Sequence, residues 1–411
     1  MPHQLKGVAF LEACNGRGML ADAMGLGKSA TVLSYLRKYK IRAIIVTTKS
    51  FLYGWKHEAS LWWPEASIAL MNTARLAPLM DECDADLILM TYDVMARMKN
   101  FTPKATCVVF DESHKVMNAE TKRSAAARRL VVGKKHVICL TGTPQPNGRP
   151  RQLWHQFLLI GPRFMRWKDF AAQFCNPKRV WAPYAGRHVW TYDGATNVYQ
   201  LRALINDRFL RRTKDLLNLP PMTESIVNVP VKLKREKTKQ NLGGAWQLAP
   251  EPWAAYAAKL AAKKIPYALS LVQDCLDRGS KVIVFSNNVE TRDAVADTFK
   301  GSVKITADMS AHERNEKVAM FQTLDTVNVF CATTQIACEG LTLTAADVVI
   351  FLDLPWAPGT WEQAKARAHR TGQKKPVHIY ILQADSIYDV NVYSALKNKQ
   401  TVTEELLDEY Q

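Results

Sequence analysis

Four runs in the first part of the chain, residues 43–48, 86–92, 106–111 and 136–141, are near-continuously apolar, with helical patterns between them. A strand with one wet face alternates apolar and polar residues, whereas a strand covered on both faces does not. The runs therefore predict a parallel sheet with helices on both faces, an α/β arrangement. A second series follows at 281–286, 303–306, 327–332, 347–353 and 377–382, interleaved with helical stretches at 289–299 and 311–322. The architecture repeats although the residues do not. A length of 411 residues suits two such lobes, expected at 1–160 and 281–411. Between them, 161–280 breaks the rhythm with Pro162, Pro177, Pro183, the Leu-Pro-Pro at 219–221, Gly243-Gly244, Pro250 and Pro252. That stretch reads as a helical insert plus the connection between lobes.

Composition excludes several classes. No apolar run approaches the ~20 residues of a membrane span, and the opening residues lack the three regions of a secretory signal. The eight cysteines include no Cys-x-x-Cys pair and read as reduced, buried thiols; the nine histidines show no zinc spacing. A net charge of +17 points to a polyanionic partner, because Lys and Arg gain affinity for phosphate backbones by releasing counterions. Residues 149–190 hold eight Lys/Arg against one acid, Asp169, together with Trp154, Trp167, Trp181 and Trp190. This mixture suits a nucleic-acid-facing surface or a small helical core. The run Lys232, Lys234, Arg235, Lys237 and Lys239 reads as a solvated face or as a phosphate track.

Three constellations carry chemistry. Asp22-Ala-Met-Gly25-Leu26-Gly27-Lys28-Ser29 sits between a short apolar run and a helical pattern. Glycines let backbone N–H groups fold around phosphates, Lys28 would neutralise their oxygens, and the Ser29 hydroxyl would hold magnesium. The strict phosphate-loop pattern wants glycine where Asp22 stands. The buried run 107–110 ends in Asp111-Glu112-Ser113-His114, which puts two carboxylates at the edge where open α/β sheets bind ligands. Asp111 would hold the metal and Glu112 would orient and deprotonate water. In the second series, Gln363-Ala-x-x-Arg367-Ala-His369-Arg370 is read as a helical stretch with both arginines on one face, suited to a γ-phosphate.

The order of these motifs resembles superfamily 2 nucleic-acid motors, and among them the Swi/Snf-type double-stranded DNA translocases, over nearly the whole chain. Gln4 looks like the glutamine with which such enzymes read adenine; Ile45-Val-Thr-Thr-Lys49-Ser50 with Trp55-Lys56, then Met90-Thr-Tyr92-Asp, are similar to their strand-gripping motifs. Leu140-Thr141-Gly-Thr143-Pro144 resembles the segment coupling nucleotide to DNA, and Phe209-Leu-Arg211-Arg212-Thr-Lys214 followed by Leu219-Pro220-Pro221 is the most family-specific run. In the second lobe, 282–286, Arg314 with Phe321, 340–346 and Trp356-Ala-Pro358 keep the family's order. Departures are Asp22-Ala-Met for Asp-Glu-Met, Pro146 for a glutamine, and Ala337-Cys338-Glu339 for a Gly-Gly-x run. Glu-Gly-Leu-Thr-Leu and Leu-Pro-Trp-Ala-Pro-Gly look closer to the branch that includes annealing helicases.

The resemblance implies two RecA-like lobes, with ATP and Mg²⁺ as cofactors. Gln4, Gly25, Leu26, Gly27, Lys28, Ser29 and Gln363 would bind nucleotide, Ser29 and Asp111 the metal, and Lys28, Asp111, Glu112, Arg367 and Arg370 would act in hydrolysis. Lys49, Trp55, Tyr92, Thr141, Thr143, Ser286 and Thr334 would contact or couple to duplex DNA. A strand-separating DNA or RNA helicase and a non-catalytic DNA-binding regulator with a motor fold are the alternatives. The chain begins almost on its adenine motif and ends in a helical stretch at 401–410. This economy suggests a monomeric, cytoplasmic motor of bacterial or viral origin whose task is set by protein partners.

Overall fold

The computed structural model describes every residue except 77–82, 99–100, 102, 162–163, 183–185, 243–244, 338–340 and 408–411; at 50, 238–242, 245–250, 311, 337 and 402–407 it describes the backbone alone. Pro162, Pro183, the Gly243-Gly244 pair, Cys338, Glu339, Gly340 and the end of the last helical stretch lie outside the described residues. The chain divides into two compact units, one of Met1–Trp181, His188–Leu217 and Lys399–Gln411, the other of Ala182–Arg187 and Asn218–Asn398.

The first unit is built on β1 (Arg17–Leu20), β2 (Ala43–Thr47), β3 (Ile68–Met71), β4 (Leu87–Thr91), β5 (Cys107–Asp111) and β6 (His136–Leu140). A hairpin of β7 (Lys178–Ala182) and β8 (Arg187–Thr191) precedes the short β9 (Phe209–Leu210). The sheet order is β3-β4-β2-β5-β6-β1-β9, with every pairing parallel. Alternate residues feed two separate cores: Ile44, Val46, Val108 and Phe110 face one, and Ala43, Ile45, Cys107 and Val109 face the other. This is why the strands read as continuous apolar runs.

The second unit carries β10 (Met222–Val229), an antiparallel hairpin of β11 (Lys237–Leu242) and β12 (Ala245–Pro250), then β13 (Val282–Ser286), β14 (Ser302–Lys304), β15 (Val329–Thr333), β16 (Val348–Phe351) and β17 (Val377–Ala384). Its main sheet runs β10-β17-β16-β13-β15-β14, again all parallel. Ile283, Phe285, Val349 and Phe351 pack on one side, and Val282, Val284, Val348 and Ile350 on the other. Local signals start the covering helices. Ser310 and Glu313 form a reciprocal capping box for Ala311–Thr323, and the Asn288 side chain accepts from Thr291 N to cap Val289–Thr298.

The stretch 161–280 is divided between the units. Its β9 joins the first sheet and its β10 the second, while Trp253–Asp277 forms a helix whose Leu260, Ala268 and Val272 enter the second unit's core. Among the described residues no helix is long and apolar enough to cross a membrane.

Candidate nucleotide site and its braces

The phosphate loop follows β1 and ends where helix Lys28–Lys38 begins. Gly25 and Gly27 have φ of 93° and 74°, in the left-handed region that other residues adopt at a cost, and Gly27 is the residue capping the helix. A Cβ at Gly27 would come within 2.4 Å of Gln4 Nε2, so glycine here also admits the Gln4 amide to the loop. His3 Nε2 donates to the Leu26 carbonyl at 2.9 Å, tying the opening helix Pro2–Ala13 to the loop, while the Leu26 side chain is buried. Ser29 occupies the first turn of the helix.

Asp22, the residue that spoils the strict pattern, has a structural use. It is fully buried, and Arg212 grips it with two donors, Nε to Oδ1 at 2.9 Å and Nη2 to Oδ2, while Arg212 Nη1 donates to the His3 carbonyl. The backbone of the same run continues the brace through Ala23 N to Arg212 O at 2.9 Å. The family-specific Arg-Arg run thus holds the phosphate loop from behind. Lys28 Nζ donates to the Asp22 carbonyl at 2.7 Å and the Ala23 carbonyl at 3.3 Å. Burial pulls the Lys28 pKa below the usual lysine range, against the charges of Glu112, Asp22 and Asp111, which favour the ammonium.

Asp111 ends β5. Thr47 Oγ1 and Trp55 Nε1 both donate to its Oδ2 at 2.8 Å, and the Tyr92 hydroxyl donates to its carbonyl at 2.7 Å. Burial, reinforced by the charge of Glu112, pushes the Asp111 carboxyl up to about 6, with Trp55, Thr47 and Lys28 acting the other way. Glu112 stands at φ 53°, rare for a residue with a side chain, where the strand turns into Ser113–Val116. Its Oε2 lies 3.3 Å from His114 Nδ1, which is 3.1 Å from Thr141 Oγ1, and Thr141 Oγ1 accepts from Thr143 N at 3.0 Å. A second link parallels it: Ser113 Oγ donates to Gln156 Oε1 at 2.6 Å, and Gln156 Nε2 to the Pro144 carbonyl at 3.0 Å. Between them, a Cβ at Gly142 would meet Met24 Cγ at 2.8 Å, so the 141–144 segment abuts the phosphate loop.

The first unit therefore gathers Gln4, Gly25, Gly27, Lys28, Asp111 and Glu112. The residues expected at DNA are placed differently. Lys49 is exposed, but Trp55, Tyr92, Thr141 and Thr143 are buried in the bracing just described. In the second unit Ser286 Oγ donates to Asp353 Oδ2 at 2.6 Å and Thr334 Oγ1 donates to Asn287 Oδ1, both hydroxyl residues being fully buried.

The arginine motif departs from expectation in one respect. Helix Pro358–Lys365 stops before it, so Gln363 is helical but Arg367 and Arg370 lie in the turns that follow, not on a helix face. Arg367 Nη1 donates to the Leu341 carbonyl at 3.3 Å and Arg370 Nη1 to Thr342 Oγ1 at 2.9 Å. Gln373 Nε2, on the Ala346 carbonyl at 2.7 Å and the Ala368 carbonyl at 3.1 Å, fixes the turns. Thr47, Gln156 and the Asp22–Arg212 pair escaped sequence reasoning. Thr47 lay inside a quoted motif, but only the fold shows that it faces Asp111.

Comparison with known proteins agrees with this layout. The SNF2-related domain model matches residues 3–268 and the helicase conserved C-terminal domain model residues 263–372. The SWI/SNF-related matrix-associated actin-dependent regulator of chromatin subfamily A-like protein 1 of Drosophila melanogaster is 27% identical over 98% of this chain and 55% of its own length. The human DNA annealing helicase and endonuclease ZRANB3 is 30% identical over 98% of this chain and 40% of its own length. The chain thus spans about half the length of the curated relatives it matches. The Sulfolobus solfataricus SWI2/SNF2 ATPase core in complex with dsDNA aligns over 100% of this chain and 97% of that one, with 21% identity and a TM-score of 0.46. With a matching model that covers well over half its residues, and a phosphate loop braced by the family's own arginine run, this chain belongs to the SNF2-related family.

Proposed function

We propose that the chain is an ATP-driven motor that translocates on double-stranded DNA. The observation that carries this reading is the convergence of Lys28, Asp111 and Glu112 on a left-handed glycine loop, with His114 standing between Glu112 and Thr141. The residues fit a nucleotide and magnesium. The Gln4 amide rests on the loop where an adenine edge would be read, and Ser29 and Asp111 supply the hydroxyl and carboxylate oxygens that magnesium prefers. That ion, when bound, would neutralise charge on the β- and γ-phosphates.

Lys28 then holds the terminal phosphates, and Glu112 takes a proton from the attacking water. The water oxygen bonds to the γ-phosphorus as its bond to the bridging oxygen breaks, leaving ADP and phosphate. Arg367 and Arg370 are assigned to the charge that develops on the γ-phosphate. The Gln363 and Leu341 carbonyls under Arg367 and the Thr342 hydroxyl under Arg370 are neutral acceptors that a triphosphate can replace.

Coupling to the track follows from the buried ties. On helix Leu52–Trp62 and the turn before it, Lys49 and Lys56 are exposed, whereas Trp55 points inward onto Asp111. Trp55 and Tyr92 therefore transmit rather than grip: a shift of the metal-binding carboxylate moves the segment that presents lysines to phosphates. Thr141 and Thr143 do the same from Glu112. Contacts of this kind read backbone rather than sequence, and the net charge of +17 suits them. The relatives described above come from Drosophila melanogaster and Homo sapiens and lend no support to a bacterial or viral source.

The test is ATP turnover with and without duplex DNA, together with third-strand displacement from a triplex and unwinding of a forked duplex. Duplex-stimulated turnover with triplex displacement and no unwinding is the expected result. Turnover indifferent to DNA would overturn the motor, and unwinding without displacement would make the chain a strand-separating helicase.

A further inference from the structure

The four tryptophans of the basic stretch 149–190 do not share one fate. Trp154 and Trp167 pack against the core of the first unit with ring centroids 5.3 Å apart. Trp181 and Trp190, on the β7–β8 hairpin, are 56% and 59% exposed. Strand alternation places Arg179 and Trp181 on one face of β7, and His188 and Trp190 on one face of β8. The rings of Trp181 and His188 meet edge to face at 5.2 Å, which puts the two sets on the same side of the hairpin. All four side chains are exposed.

Isolated exposed aromatics need no explanation, but two indoles on one hairpin face, accompanied by Arg179, do. From 170 to 192 the sequence has no Asp or Glu, while Lys178, Arg179 and Arg187 are basic. The root of the hairpin is held firmly. Asp193 accepts from Arg149 at 2.8 Å and Arg151 at 3.1 Å, Thr191 Oγ1 donates to the Lys178 carbonyl at 3.3 Å, and Tyr192 packs edge-on against Trp167. The indoles are thus carried on an anchored platform.

We propose that this face binds unpaired, single-stranded nucleic acid, with bases stacking on Trp181 and Trp190 and with Arg179 at the phosphates. A duplex already covers both faces of each base, so an exposed indole gains little from it. An unpaired strand offers free base faces and phosphate charge together, which matches the aromatic and cationic character of this surface. Stacking of this kind tolerates any sequence. The inference extends the nucleic-acid reading of the previous section: beside its duplex track, the motor has a place to hold one separated strand.

The test uses the full chain and a fluorescent oligothymidine, with binding read by anisotropy. Trp181→Ala/Trp190→Ala should weaken binding by roughly tenfold per indole removed, and Trp181→Phe/Trp190→Phe should retain most of the affinity. Duplex-stimulated ATP turnover should match wild type in both variants, which also shows that they fold. Undiminished oligothymidine binding by the alanine pair would overturn the proposal. So would equal weakening of the alanine and phenylalanine pairs, or a change in sedimentation of the alanine pair showing that a second copy of the chain covers this face. If duplex DNA fails to stimulate wild-type turnover, the motor reading fails on its own, and the oligothymidine comparison still decides the hairpin.

Discussion

Each unit places an aspartate at the C-terminal edge of its sheet, Asp111 buried and Asp353 half-buried. Asp111 closes β5, and Asp353 lies two residues beyond β16. Burial raises the pKa of both. Their neighbours differ. Asp111 takes its side-chain donors, Thr47 and Trp55, on one oxygen, beside a glycine loop, Lys28 and a left-handed Glu112. Asp353 takes Ser286 Oγ on Oδ2 and Asn287 N at 2.7 Å on Oδ1, so both of its oxygens serve to pin the ends of β13 and β16 together. In the proposed mechanism the same position in the same kind of sheet serves the reaction in one lobe and is a structural tie in the other. Architecture supplies the edge, and the loops arriving there decide what it does.

The largest expected effects test that division. Glu112→Gln should lower DNA-stimulated ATP turnover by about 10²–10⁴-fold, the range for loss of a general base. Lys28→Ala should abolish turnover at saturating DNA. Asp353→Asn, assayed where it remains folded, should stay within a few-fold of wild type. Equal losses at Asp353 and Glu112 would break the comparison.

Next come two buried ion pairs, one taken from each unit: Arg212 on Asp22, and Lys264 on Asp389 with Lys264 also donating to the Leu352 and Leu382 carbonyls. Removing one partner strands a buried charge, so Arg212→Ala and Lys264→Ala should each cost about 3–5 kcal/mol in urea unfolding. Only the first should also raise the KM for ATP at a temperature where the protein is folded, because Asp22 is part of the phosphate loop.

Most of this architecture was legible in the sequence. The first-series runs 43–48, 86–92, 106–111 and 136–141 became β2, β4, β5 and β6 because strands buried on both faces leave an unmistakable apolar run. β3, with three of four residues only half-buried, and the two-residue β9 left no such mark. Lys28, Asp111 and Glu112 were legible because their spacing around strands and glycines is local. The ties of Thr47, Arg212 and Gln156 were not, since each spans 43–190 residues of sequence and depends on a register that only the folded sheet defines. Trp55 and Tyr92 illustrate the same limit: a motif names its residues without saying which of them face inward. The end of helix Pro358–Lys365 was missed because Ala366, Arg367 and Ala368 are good helix formers, and the contacts at 341–346 override their propensity.

Two substitutions sharpen the contrast between the aspartates through stability. Asp111 has its pKa raised from 3.8 to about 6. A carboxyl raised on folding favours the native state most fully below its unfolded value, and that contribution is lost as pH rises through the folded value. Asp111→Asn should therefore flatten the stability profile of the nucleotide-free protein between about pH 4 and 6 and stabilise it at neutral pH by on the order of 3 kcal/mol, two units at 1.36 kcal/mol each. The amide oxygen can accept from both Thr47 and Trp55, because they converge on a single oxygen. Asp353→Asn should stabilise less, since with its oxygen kept on the Asn287 N–H its NH₂ group turns Ser286 Oγ, which already accepts from Asn288 N, into an acceptor and leaves the serine hydroxyl hydrogen without its carboxylate. Thermal melts across that pH range decide the matter, and a gain of equal size at both sites would erase the distinction.

The smallest effects concern the hydroxyl donors. Thr47→Val and Ser286→Ala each remove one hydrogen bond to a carboxylate that is at least half-buried and should cost about 1.5 kcal/mol in denaturant unfolding. What separates them is linkage to magnesium. Thr47→Val deprives Asp111 of a donor that stabilises its charged form, so the carboxyl stays protonated to higher pH and the magnesium concentration needed for half-maximal turnover should rise most at acidic pH. Ser286→Ala acts on a carboxylate far from that chemistry in sequence and in its own sheet, so its magnesium requirement should stay that of the wild type at every pH. A shared shift in the two variants would mean that the second aspartate also belongs to the reaction centre.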